Sequence, residues 1–176
     1  MMNALRSWLK LDDAPEAEPA PLRELVDALE RLDPDRARHL ARFAYLLGRV
    51  ANADDEITRA ETAAMESLVQ AHGRLSANQA VLVVALAKSS HRLFGGTADF
   101  MVAQEFAEAA TYNEKLALVR CLFDVAASDE HISMDEETEL HRITNQLHIE
   151  GPDLISIRLE HRQFLPGLSS RDGDKT

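Results

Sequence analysis

One eleven-residue string occurs twice in this chain, and a fold for it must accommodate two similar helix–loop–helix units. Residues 51–61 read A-N-A-D-D-E-I-T-R-A-E, and residues 126–136 read A-A-S-D-E-H-I-S-M-D-E. At one offset of 75 residues, Asp54 falls on Asp129, Ile57 on Ile132, Thr58 on Ser133 and Glu61 on Glu136. Upstream, Phe43, Leu47 and Val50 fall on Leu118, Leu122 and Val125; downstream, Met65 and Leu68 fall on Leu140 and Ile143, and Ser76-Ala77 on Gly151-Pro152. So many matches of kind at one offset point to an internal duplication of a small helical unit.

The segments around the repeat are helical in pattern. Leu22, Leu25, Val26, Leu29 and Leu32 recur at helical spacing, which predicts an amphipathic helix over 21–32. Asp33-Pro34 supplies an N-cap and a first-turn proline for a helix to about 52, with Leu40, Phe43, Leu47 and Val50 as its core stripe. Further helices are predicted over 59–71, stopped by Gly73, over 77–93 behind a Ser76/Gln79 capping box, and over 98–110. A Thr111/Glu114 capping box opens a helix to about 127, and helices over 134–147 and 152–164 complete the second copy. The 77–93 helix is apolar nearly all round, which predicts a central position. With few glycines and prolines, the chain should be an all-α single bundle of about seven helices in two pseudo-repeated halves, copies about 36–93 and 111–165 within a domain 22–165. Ahead of it, residues 1–21 read as an amphipathic arm carrying Trp8 and a Pro/acid linker; behind it, 166–176 reads as a disordered tail.

The chemistry on offer is carboxylate. Loop one has Asp54, Asp55, Glu56 and Glu61; loop two has Asp129, Glu130, His131, Asp135, Glu136 and Glu137. The spacing D-x-x-I-x-x-x-E coincides with the second half of a calcium-binding EF-hand loop. The first half is missing, because its ligand positions fall on Val50 and Asn52, and on Val125 and Ala127, with no turn glycine. A standard EF-hand is excluded. If the two loops converge, Asp54, Glu61, Asp129 and Glu136 form the inner ligands of one hard divalent cation such as calcium, with Asp55, Glu130 and His131 outside them. Clustered carboxylates repel one another until a cation neutralises them. Helix capping explains part of the same pattern, since Thr58/Glu61 and Ser133/Glu136 have capping-box spacing. It leaves Asp54 and Asp129 unexplained.

The string A-x-A-D-x-x-I-[ST]-x-x-E, given twice between an apolar and an amphipathic helix, resembles the TerB-like tellurite-resistance family over residues 36–163. The resemblance implies an all-helical, non-enzymatic protein of tellurite or metal stress response, with clustered acids suspected of binding metal. It also implies an alternative, a metal-free adaptor docking protein partners, with the arm and Trp8 as a docking element. The family commonly has Asp-Gly where this chain has Asp54-Asp55 and Asp129-Glu130. A glycine there would allow a left-handed turn at little cost.

Composition excludes other classes. The net charge is −11, from 30 acidic and 19 basic side chains, which disfavours nucleic acid as a partner. The longest apolar run, 80–87, is too short for a transmembrane helix, and the N-terminus lacks the order of a secretory signal; a cytoplasmic protein is expected, with membrane-surface contact limited to the arm. The single Cys121, at an apolar helical position, reads as a small buried hydrophobe. The seven histidines show no zinc-ligand spacing, and neither a nucleophile motif nor a phosphate loop is present, so no enzymatic activity is expected.

Overall fold

The computed structural model describes residues 20–53, 57, 59–90 and 97–166. The arm with Trp8, most of the linker, the tail beyond 166, and Asp54, Asp55, Glu56 and Thr58 lie outside the described residues. Among the described residues there are eight α-helices and no strand. They are α1 (Ala20–Glu30), α2 (Pro34–Ala51), α3 (Arg59–Gly73), α4 (Ala77–Ser90), α5 (Thr97–Ala109), α6 (Tyr112–Ala126), α7 (Met134–Gln146) and α8 (Gly151–Glu160).

The starts are set locally. The Asp33 carboxylate accepts from the N–H groups of Asp35 and Arg36 ahead of α2. Ser76/Gln79, Thr111/Glu114 and Ser133/Glu136 each close the reciprocal pair of bonds of a capping box. Each such cap is worth about 1 kcal/mol.

The centre of the bundle is α2, not the apolar α4. Helix α2 packs on α1, α4, α5, α6 and α7. Its small residues Ala37, Ala41, Ala44 and Gly48 are all buried, so neighbours approach closely, and Phe43, Leu46, Leu47 and Val50 fill the space between them. Helix α4 is covered by α1, α2 and α3, but Val81 on its outer side is 48% exposed. An all-apolar pattern cannot say which side faces water.

The halves embrace. The second helix of the first half, α3, packs on α6, the first helix of the second half, while α7 packs on α2. At the offset of 75, the same backbone bonds end the first helix of each half: Asn52 N–H to Gly48 O and Ala53 N–H to Val50 O recur as Ala127 to Phe123 and Ser128 to Val125.

Two expectations change. Arg74 and His148, both left-handed (φ 51° and 55°), end α3 and α7 with matching bonds, Leu75 N–H to Gln70 O and Ile149 N–H to Thr144 O. These pairs stand 74 residues apart, so the second copy has one residue fewer between its motif and this turn, and Ser76 corresponds to Glu150, not to Gly151. The last helix stops at Glu160, where the His161 side chain turns inward, and a 3-10 turn, Arg162–Phe164, follows.

Glu130, at the position where the resemblance leads one to expect glycine, is left-handed, with φ 67°. A side chain in that conformation costs about 1–2 kcal/mol. Glu130→Gly should therefore raise stability by about 1 kcal/mol, a few degrees in thermal unfolding, after the extra entropy glycine gives the unfolded chain. A variant no more stable than the parent would show that contacts of the Glu130 side chain offset the strain.

Candidate functional site

Loop two is the part of the candidate site described in full. The Asp129 carboxylate accepts from the His131 N–H at 3.1 Å, bending the chain back on itself. Ile132, fully buried, then pins the loop to the core, and its N–H donates to the Phe164 carbonyl at 2.9 Å. Ser133 caps α7: Glu136 N–H donates to the Ser133 hydroxyl, and the Glu136 carboxylate accepts from Ser133 N–H at 2.8 Å. In loop one, Ile57 packs against the core and Glu61 sits half-buried in the first turn of α3.

The two glutamates of the repeated motif face one cavity. Glu61 and Glu136 line one cavity of about 20 Å³, together with Ala51, Ile57, Met65, Val125 and Ser128. That is the size of a single water molecule or ion. Asp129, Glu130 and His131 are exposed and do not line it, so loop two contributes Glu136 alone of its expected ligands. Among the described residues, no group of three or more His, Cys, Asp and Glu side chains is arranged to hold a metal ion. The donors present are hard oxygens, the chemistry a hard cation takes. A full ligand shell would need Asp54 or Asp55, which lie outside the described residues, or a turn of Asp129 away from the His131 N–H.

A second polar cluster, which spacing did not reveal, lies near the end of α6, where Ser128 lines both its depression and the first cavity. Asp124 accepts from two imidazoles at once: His72 Nε2 stands 2.6 Å from one carboxylate oxygen and His161 Nε2 stands 2.6 Å from the other. These three come from α3, α6 and the end of α8. Asp124 and His161 line an open depression of about 650 Å³ together with Ser67, Ser128, Glu160 and Phe164. Burial pushes the Asp124 carboxyl up, but hydrogen bonds from His161 and His72 and their charge outweigh it and hold the group well below the usual carboxylate range. The histidines show no zinc-ligand spacing, yet this pair shares one carboxylate. The signal was a lone acid, Asp124, inside the apolar run of α6 between Phe123 and Val125.

Arg49, which corresponds to Asp124 at the offset of 75, makes the matching link in the other half. Its Nε and Nη2 donate to Glu139 at 3.1 and 2.9 Å, and its Nη1 to Gln146 at 2.9 Å, both on α7. Each half thus reaches across to the second helix of the other with one charged side chain. Cys121 is fully buried, and burial pushes its thiol up to about 12, so it packs as an apolar group.

The family comparison now falls on a defined geometry. A family model described as tellurite resistance protein TerB matches residues 40–159, from α2 through α8 and across both loops. No curated protein and no solved structure matches the chain. No helix among the described residues is long and apolar enough to cross a membrane.

Proposed function

The chain belongs to the TerB family of tellurite resistance proteins, and we propose that it serves such a response without catalysis, by holding one hard divalent cation between its two halves. The observation that carries this reading is that Glu61 and Glu136, matching residues of the two motifs, line one ion-sized cavity. Carboxylate oxygens lining one small cavity are the hard donors that a divalent cation takes. In this reading Asp54 and Asp129 would serve as the further ligands, with Asp55, Glu130 and His131 outside them. Asp129 would exchange its bond to the His131 N–H for the cation.

A metal-free adaptor is the second reading, and a specific observation favours it. Glu136 already serves the capping box of α7, and Asp129 already holds a turn, so both acids of loop two have structural work without a cation.

Thermal unfolding of the chelator-treated protein, titrated with calcium, magnesium, manganese and zinc in turn, separates the two. At 100 times its dissociation constant a ligand stabilises the native state by about 2.7 kcal/mol, a shift of several degrees at this size. We expect a saturable shift with one ion, abolished by Glu61→Gln with Glu136→Gln and by Asp54→Asn with Asp129→Asn. Gln at 136 keeps the capping geometry, so the apo fold should survive that change. The absence of a shift with every ion would return the acids to capping and favour the adaptor.

A further inference from the structure

We propose that His161 is held as an imidazolium between two oxygen acceptors and works as a proton-sensitive latch on the segment that fastens loop two. The geometry requires the charge. His161 Nε2 lies 2.6 Å from an Asp124 oxygen, and Nδ1 lies 2.9 Å from the Ile157 carbonyl. A carboxylate and a carbonyl only accept, so both ring nitrogens must carry a hydrogen, and a neutral imidazole has only one. Losing the proton turns a lone pair toward an oxygen in a side chain that is 8% exposed.

The charged groups around the ring are these. From α6 come Asp124 and Arg120, the latter paired with Glu160 at 3.7 Å; from α3 comes His72; from the end of α8 comes Glu160 itself. Asp124 and Glu160 favour the imidazolium, while Arg120 and a charged His72 oppose it. The hydrogen bond to Asp124, above all, raises the His161 pKa against the opposing effect of burial, and the Ile157 carbonyl and the two acids add to it. Phe123 lies against the ring, with centroids 5.4 Å apart, and closes the apolar side.

The latch reaches loop two in three residues. His161 ends α8; the 3-10 turn Arg162–Phe164 follows, and the Phe164 carbonyl takes the Ile132 N–H. Ile132 is the buried pin between Asp129 and Ser133. Leu165 anchors the far end of this strap in the core. With the proton, the strap is held at both ends; without it, one end loosens and the Ile132–Phe164 bond opens more often.

Amide hydrogen exchange of Ile132 in the full chain tests this, with chelator present so that the outcome is independent of any bound cation. Protection, corrected for intrinsic exchange, is followed from about pH 5 to about pH 9, across the range in which histidines titrate. The His161 ring resonances report the titration in the same samples. We expect Ile132 protection to fall several-fold as His161 loses its proton, while Leu47 in α2 does not change. The fall should disappear in His161→Gln and persist in His72→Gln. Flat protection of Ile132 through the titration would overturn the latch, as would a fall that survives in His161→Gln. A fall that vanishes in His72→Gln would overturn it too, by giving the switch to the other imidazole.

Discussion

Replacing Arg49 with alanine should lower folding stability by about 3–5 kcal/mol, the scale for removing one partner of a buried ion pair, and thermal unfolding by on the order of 10 °C. The Arg49 side chain is 8% exposed and Glu139 is 19% exposed. Two guanidinium nitrogens share one Glu139 oxygen, a third takes Gln146, and the Asp99 carbonyl lies 3.4 Å away. Without Arg49, Glu139 keeps only Arg142, which is 63% exposed and screened by water. The cost comes from stranding Glu139 and Gln146 more than from the lost attraction. It follows that Arg49→Leu with Glu139→Leu should be milder than Arg49→Ala alone, and that Arg49→Lys should be intermediate, since a lysine keeps the charge but loses the fork. Urea unfolding measures all three. A loss below about 1 kcal/mol for Arg49→Ala would mean that apolar packing alone joins α2 to α7.

What could be read from the amino acids, and what could not, divides by distance along the chain. Ser76/Gln79, Thr111/Glu114 and Ser133/Glu136 were legible because a capping box spans three residues and its chemistry is complete within them. The all-helical bundle was legible from period. That Glu61 and Glu136 would line one cavity was conditional on how the halves pack, and only the pairing of α3 with α6 and of α7 with α2 decides it. Asp124 and its two imidazoles are 52 and 37 residues apart in sequence, and nothing local relates them. Aligning Asp124 with Arg49 was possible at the offset of 75, but opposite charges at equivalent positions look like divergence. In the fold they are two solutions to one need, a polar tie from the first helix of each half to the second helix of the other. The end of α8 was not legible either: the helix ends at Glu160, and the next residue, His161, reaches Asp124 on another helix.

The tie around Asp124 differs from the tie around Arg49 in depending on pH, and Asp124→Asn exposes the difference. An amide can accept from one imidazole, but its NH2 then confronts the other, so we expect a loss of about 3 kcal/mol near pH 5.5, where charge-assisted bonds are intact. The two limbs have opposite signs. Asp124 is depressed from its ordinary 3.8 on folding, so its contribution is present above that value and is lost as pH falls through the lower folded pKa. His161 is raised from its ordinary 6.5, so its contribution is complete below that value and is lost as pH rises through the higher folded pKa. The stability difference between the parent and Asp124→Asn should therefore be widest between these two limits and should narrow toward about pH 9. Arg49→Ala, measured across the same range, should show no such narrowing, because a guanidinium keeps its proton throughout. If the Asp124→Asn deficit were the same at about pH 5.5 and about pH 9, the imidazolium form of His161 would not be what the carboxylate stabilises. The tie would then rest on neutral hydrogen bonds alone.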